Sequence, residues 1–445
     1  MSESKQDFLN LLRESSHRMQ DGRELAEYTL NTCFDEGIHS KLDVFSLCRM
    51  LDANYVPSDL DDVDGIYITE KRDEEKVHNR AIIGLNINKV SLRCLKFTLA
   101  HELCHHIKDF EIQQQVTLNE DLNIPYSKVE KFANTFASYL LVPHLELRYK
   151  LDEFKGKQKL SDADIICLAD FFEVSKSVIT YRLDRLNISY DLGSRNLSTD
   201  IDLKIKLQYV KGVFSNSKKL FDSYRKVNIM EIVSNDSRFE GINLEIEEIS
   251  EIIFDIEGFL DEGKILSKNE IEIIGLYYMY EKLLEENDIP DQYKLQDYHS
   301  YLYKLSKEYV KGFRQSSNYI TGVKFHTPPP TKVQEEMYLL AKDIRFIFDE
   351  SFREVNLEFI NSLAMIHQKI TWIHPFSDGN GRVSRLLNNW LLQLKEYPYM
   401  VIKLKDKDSY LKCLQEADEY NFKPLVKLLI DTIYENYNDY ILANL

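Results

Sequence analysis

Cysteine is scarce: six residues in 445 (Cys33, Cys48, Cys94, Cys104, Cys167 and Cys413), with no CxxC pair among them. That excludes a disulfide framework and a Cys-rich zinc ribbon, and it suits a reducing compartment. Glycine (15) and proline (10) are few, so collagen-like and low-complexity matter are excluded as well. No apolar run approaches the roughly 20 residues needed to cross a bilayer. The opening residues Met1 to Asp7 carry no basic stretch followed by an apolar core. The expectation is a cytoplasmic protein with no membrane partner. Basic charge is also in deficit, 56 Lys and Arg against 73 Asp and Glu, for a net charge of −17. A polyanion would be repelled at long range, so nucleic acid is not an expected partner. The local exception, Lys204, Lys206, Lys211, Lys218, Lys219, Arg225 and Lys226 against Asp222, reads as a solvated helical face.

What is present describes folded, mainly helical matter: 44% hydrophobic residues, 12% aromatic, in a chain too long for one ordinary core. Residues 1–38 read as a polar helical lead-in. A helix is expected at Leu42–Leu51, and β-branched and aromatic clusters at Gly65–Thr69 and Ala81–Ile87 predict a small sheet. Beyond Ser91, Leu92, Leu95, Leu99, Leu103 and Ile107 fall on one helical stripe. Helices follow at 126–142 and 161–187, the second broken near Val174. The polar, aperiodic stretch 191–200 is the expected linker, and from 201 to 445 nearly everything reads as helix.

The stripe carries His101-Glu102-Leu-Cys104-His105, an H-E-x-x-H motif. Residues four apart share a helix face, so both imidazoles can meet one metal ion, with Glu102 beside them to take a proton from a metal-bound water. The alternative is two surface histidines on an ordinary helix, but a core-facing helix makes bare histidines costly. Glu130 is the expected third ligand, because Ala133 and Ala137 on its face let the second helix come close; otherwise it is an exposed helical acid. Phe97-Thr-Leu-Ala-His-Glu-Leu, Glu130-x-x-Ala-Asn-x-Phe-Ala, Leu140-Leu-Val-Pro143 and Leu168–Ser175 through Arg182–Leu186 together resemble the ImmA/IrrE metallopeptidase family over roughly 40–190. The resemblance implies a zincin-like α+β domain (39–190) with Zn²⁺ held by His101, His105 and Glu130, Glu102 as base, and a helix-turn-helix repressor or antitoxin as substrate. Cys104 stands where that family usually has glycine, and it is either inert packing or a redox-sensitive thiol near the metal.

Ile373-His-Pro-Phe-Ser-Asp-Gly-Asn-Gly-Arg-Val-Ser-Arg385 is the most informative run. A residue before proline avoids helical geometry, so a helix should end near Trp372 and leave His374 on a loop rim. Asp378-Gly-Asn-Gly381 supplies glycines for unusual backbone angles, and a helix with Leu386, Leu387, Trp390 and Leu391 begins at once, its N-terminus favouring anions. Arg382 and Arg385 lie on one side of that first turn. Together they predict a phosphate cradle, with Asp378 to hold Mg²⁺ and His374 to take a proton from a hydroxyl, the equipment of phosphoryl or nucleotidyl transfer.

The run resembles the HPFx-D-GNGRxxR signature of the Fic family, over about 225–440. The resemblance implies a multidomain, mainly helical chain ending in an all-α Fic domain (201–445), and AMP transfer from ATP to a Ser, Thr or Tyr hydroxyl of a protein target. It gives His374 the base's role and Asp378 the Mg²⁺; Gly379, Asn380 and Gly381 line the anion hole, Arg382 and Arg385 bind phosphates, and Phe376 anchors the loop. The stretch from Gly312 through Tyr319, Ile320, Thr321, Gly322 and Val323 to Pro330 resembles the family's β-hairpin flap, which docks a target segment by strand addition. Ser234–Gly241 resembles its inhibitory motif, expected on a helix around 234–250, with Glu240 pairing with Arg385 and denying it the γ-phosphate. Asp236 stands where Ser or Thr is usual, and it can still cap a helix N-terminus. In some members this glutamate supports AMP removal, so the implied direction stays open.

Overall fold

The computed structural model describes residues 2–33, 43–60, 63–69, 81–88, 90–108, 128–214, 218–255, 266–306, 311–317, 327–348 and 354–444. The described chain is mainly helical with one three-stranded sheet. It divides into two compact units, residues 1–216 with 441–445, and residues 217–440.

The first unit opens with α1 (Ser2–Ser16), α2 (Gly22–Cys33) and α3 (Val44–Met50). Three strands follow: β1 (Ala53–Ser58), β2 (Gly65–Thr69) and β3 (Ala81–Asn86). β3 is central, parallel to β1 with Ala53 opposite Ala81 and antiparallel to β2 with Gly65 opposite Leu85. β1 went unread because Pro57 lies inside it; a proline is tolerated here because β1 is an edge strand. Packed on the sheet is α4 (Leu92–Lys108), which buries Leu95, Leu99, Leu103 and Ile107 as its stripe predicts. Against α4 lies α5 (Lys128–Leu141), whose buried Ala133 and Ala137 allow the close approach expected of them. Then come α6 (His144–Leu151), α7 (Asp162–Phe172) and α8 (Lys176–Asp184). The break between α7 and α8 is made by Glu173, left-handed at φ 56°.

Residues 2–33 are more than a lead-in. Leu9, Leu12, Leu25, Ala26 and Leu30 are buried, and α2 packs along α5 so tightly that a Cβ on Gly22 would lie 2.6 Å from the Phe136 nitrogen. Helix α9 (Thr199–Phe214), expected in the second domain, also belongs to the first unit. Its residues are tied there by Arg93 to Asp202 at 2.9 Å, by Lys204 to the buried Glu173, and by the Tyr55 hydroxyl donating to the Tyr209 carbonyl. Part of the basic run is therefore paired rather than free in solvent.

The second unit contains α10 (Lys218–Phe239), α11 (Ile246–Phe254), α12 (Lys268–Leu284), α13 (Gln292–Leu302), α14 (Pro330–Phe346), α15 (Leu357–Ile373), α16 (Asn380–Gln393), α17 (Lys407–Asp418) and most of α18 (Lys423–Asn444). Helix α16 is enclosed on nearly every face, with Leu386, Leu387, Trp390 and Leu391 all buried. Such a helix must satisfy its polar groups internally. Asn389 does so by exchanging hydrogen bonds with the Met400 backbone, and Gln393 by donating to the Leu283 and Glu286 carbonyls. The element around 234–250 is not one helix. Residues 234–239 are the end of α10, Gly241 turns the chain at φ 89°, and α11 starts at Ile246. Asp236 thus sits inside a helix near its C-terminus and caps no N-terminus. The flap residues Tyr319, Ile320, Thr321, Gly322 and Val323 lie outside the described residues.

Candidate functional sites

Helical spacing on α4 brings His105 Nε2 within 3.0 Å of His101 Nε2. From the first turn of α5, Glu130 places Oε2 at 3.0 Å from His101 Nε2 and Oε1 at 3.5 Å from His105 Nε2. All three offered atoms lie within 4.8 Å of one another. Tetrahedral ligands about 2 Å from a zinc ion are about 3.4 Å apart, so the donor set fits such an ion. Asn134, one turn beyond Glu130, accepts from His101 Nδ1 at 2.9 Å, which leaves the Nε2 lone pair aimed at the group. Burial and the neighbouring His101 push His105 down to about 4, so its ring is neutral and able to ligate.

Glu102 is buried, and that burial raises its carboxyl to about 7, with His101 pulling the other way and Glu130 adding to the rise. A carboxyl poised there can both take and give a proton near neutrality. Gly65 at the start of β2 faces it: a Cβ there would lie 3.4 Å from Glu102 Oε1 and would collide with Thr98. Cys104 is buried and its thiol is pushed up by burial, which keeps it protonated and favours the packing reading. His106 stands apart from the candidate metal group, donating from Nε2 to the Leu51 carbonyl and accepting from the Tyr67 hydroxyl.

In the second unit α15 ends at Ile373, one residue later than expected, and His374 caps it in left-handed geometry (φ 48°, ψ 59°). Burial lowers the pKa of His374, leaving it a neutral base. Arg314 fixes this strained turn: it is buried, and its guanidinium donates to the carbonyls of His374 (2.7 Å), Ser316 and Pro328, while its backbone nitrogen bonds the Pro375 carbonyl. Phe376 is fully buried and stacks on His299 with centroids 3.7 Å apart, and His299 Nε2 donates to the Asp378 carbonyl at 2.9 Å. Asn380 closes the loop on itself, accepting from the Phe376 nitrogen and donating to the Phe376 carbonyl. Gly379 is the N-cap of α16 at φ 78°, and a Cβ there would lie 2.7 Å from Leu302. The Asp378 side chain is 57% exposed, so its carboxylate can reach a cation in solvent.

Both arginines are buried and paired. Arg382 donates to Glu272 at 2.6 Å and to the Tyr303 hydroxyl at 3.1 Å. Arg385 Nε meets Asp236 at 2.6 Å, and its Nη2 lies 3.4 Å from Glu240. Burial alone would lower Arg385; Asp236 and Glu240 hold it above its ordinary value. Sequence reading missed Asn134, Gly65, Arg314, His299, Glu272 and the direct role of Asp236. Asn134 was legible, one turn from Glu130 on the same face, and so was Asp236, one turn before Glu240; the others come from distant elements with no spacing relation to the motifs.

Two family models match the chain: IrrE N-terminal-like domain over residues 55–184, and Fic/DOC family over residues 290–392. Similar curated proteins include Protein adenylyltransferase Fic of Aedes aegypti, 31% identical over 193 residues, and that of Drosophila yakuba, 29% identical over 186 residues. Each match covers 41% of this chain and 36% of the relative, so the chain spans about a third of the length of those relatives. Among solved structures, a Fic domain-containing signaling protein from Bacteroides thetaiotaomicron is similar at TM-score 0.45 and 19% identity, covering 53% of this chain and 95% of that one. Fic-1 from C. elegans is similar at TM-score 0.45 and 17% identity, covering 69% and 87%. One chain thus carries an IrrE N-terminal-like domain that contains the His101–His105–Glu130 group and a Fic/DOC family domain that contains the run from His374 to Arg385.

Proposed function

We propose that the second unit is a protein adenylyltransferase that moves AMP from ATP to a hydroxyl of a protein target and is held back by Glu240. The observation that carries this reading is the arrangement at the mouth of α16. A neutral His374, an exposed Asp378 and the Gly379–Gly381 turn surround a helix N-terminus whose second arginine is occupied by carboxylates. His374 takes the proton from the attacking hydroxyl. The α16 N-terminus and Arg382 hold phosphate charge, and Asp378 would hold Mg²⁺, which supplies charge neutralisation on the leaving phosphates. Labelling of lysate proteins from α-labelled ATP tests it: Glu240→Gly should raise labelling and Glu240→Gly/His374→Ala should abolish it. No transfer by the Glu240→Gly chain would refute the reading.

For the first unit the reading is a zinc peptidase acting on a helix-turn-helix repressor-like partner in the cytoplasm. His101, His105 and Glu130 would hold Zn²⁺, which supplies an acidified water and a Lewis acid for a peptide carbonyl. Glu102 carries the proton to the leaving amine. No described helix is long and apolar enough to cross a membrane. Cleavage of such a partner, with about one zinc per chain, should be lost in Glu102→Gln while the zinc stays; cleavage that persists in Glu102→Gln would sink this half.

A further inference from the structure

The inhibitory contact on Arg385 is divided between two carboxylates of different kinds. Asp236, in the last turn of α10, reaches the inner Nε at 2.6 Å, and that pair is sealed, with side chains 5% and 7% exposed. Glu240, one turn later and just past the helix end, reaches the outer Nη2 at 3.4 Å from a side chain 32% exposed. Phe239 packs its ring on the same guanidinium, 4.9 Å from centroid to Cζ. A Cβ placed on Gly381 would meet Arg385 Nη1 at 3.2 Å and Glu240 Oε1 at 3.4 Å. The Glu240 carboxylate therefore stands over the first turn of α16, where an incoming anion would stand, whereas Asp236 lies behind the arginine.

These positions give the two acids different consequences. Swinging Glu240 away opens the Nη edge of Arg385 without breaking anything buried. Asp236 remains, because separating a sealed ion pair leaves an uncompensated buried charge. With Asp236 in place the arginine adds no net charge to the cradle; with a neutral side chain there, it would add one positive charge. A third phosphate is distinguished from a second chiefly by the charge it brings.

We propose that Asp236 is a specificity-determining residue of the nucleotide site: it orients Arg385 from behind while cancelling its charge, so that the site does not favour a nucleoside triphosphate over the diphosphate even when Glu240 is removed. The proposal rests on the nucleotide-binding reading of this unit. It separates two functions that one inhibitory motif would be expected to combine, with Glu240 as a displaceable plug and Asp236 as a fixed charge setting. The Asp236 Oδ2 atom is buried without a hydrogen-bond partner among the described residues, and Oδ1 accepts from Arg385 Nε.

Calorimetric titration of the full chain with Mg·ATP and Mg·ADP tests it in the wild type, Glu240→Gly, Glu240→Gly/Asp236→Asn and Glu240→Gly/Asp236→Ser. Asn keeps an oxygen to accept from Arg385 Nε and removes only the charge; Ser serves if Asn lowers the melting temperature. The ATP-to-ADP affinity ratio should stay within about threefold of unity in Glu240→Gly and rise at least about tenfold in the double variants, given the strength of a charge contact at this depth. The rise should shrink with added salt. A full rise in Glu240→Gly alone, or an unchanged ratio in both double variants with nucleotide bound, would overturn the proposal and leave the nucleotide reading standing. Failure of every variant to bind either nucleotide would overturn both.

Discussion

The candidate metal group of the first unit is carried on two regular helices, whereas the candidate anion loop of the second is carried on backbone that leaves helical geometry at both ends. On α4 and α5 the ligands fall into place through a spacing of four and two alanines. Around 374–381 they fall into place because His374 and Gly379 adopt left-handed angles that Arg314, Leu302 and His299 enforce. A helix-borne site depends on its side chains and tolerates changes elsewhere; a loop-borne site depends on what braces it.

The sharpest way to break that comparison is to remove ligands. His101→Ala or Glu130→Ala should take zinc from about one per chain to none after dialysis, since three protein ligands are the minimum for such a centre. Asp378→Ala should leave the zinc content unchanged. Metal analysis of the three proteins reads this out.

Next come the glycines that wall each site. Gly379→Ala must hold φ 78° with a Cβ against Leu302, which should cost more than about 1 kcal/mol and weaken nucleotide binding. Gly65→Ala has no unusual backbone angle but crowds Thr98 and Glu102; it should impair proton transfer with zinc retained. Thermal melts with nucleotide titration and zinc content distinguish the two.

A smaller effect is expected at Asn134, the brace on the candidate ligand His101. Asn134→Ala should weaken zinc about 10- to 100-fold, and chelator competition measures it. Loss of no affinity would show that the α4 spacing alone orients His101.

The smallest effect is on the pH dependence of stability. Burial pushes His106, His299 and His367 down to about 4 from an ordinary 6.5. Folded, they stay neutral; unfolded, they take up protons below about 6.5. Their contribution is complete above that pH and is lost as pH falls toward 4. The melting temperature should drop over this window by on the order of several degrees. His367→Gln should flatten the fall in the second unit, while His106→Gln acts on the first.

The same contrast explains what could be read from the chain. Helical periodicity exposed α4, α5 and α16, and with them His101, His105, Glu130, Arg382 and Arg385, because regular helices convert spacing directly into a shared face. The turn at 374–381 was legible because glycine and proline mark backbone angles locally. What braced it was not. Arg314 reaches the loop from the irregular stretch 311–317 and His299 from α13, while Glu272 on α12 meets Arg382 of α16; only the packed chain brings them near. Strand β1 was obscured by Pro57, and the membership of α9 in the first unit by the linker-like composition just before it. At Asp236 the expectation of a cap failed because the helix runs eighteen residues before reaching it, so the carboxylate had an arginine to meet instead of bare N–H groups.

The close seat of Gly22 against α5 has a practical consequence. Family similarity in the first unit begins at residue 55, but the helix that carries Glu130 is wedged between α4 and a helix that lies wholly before that point. A recombinant fragment cut at the similarity boundary would lose the back wall of its candidate metal centre. Expression trials that start from residue 1 should yield zinc-loaded protein where those starting near 55 yield aggregates.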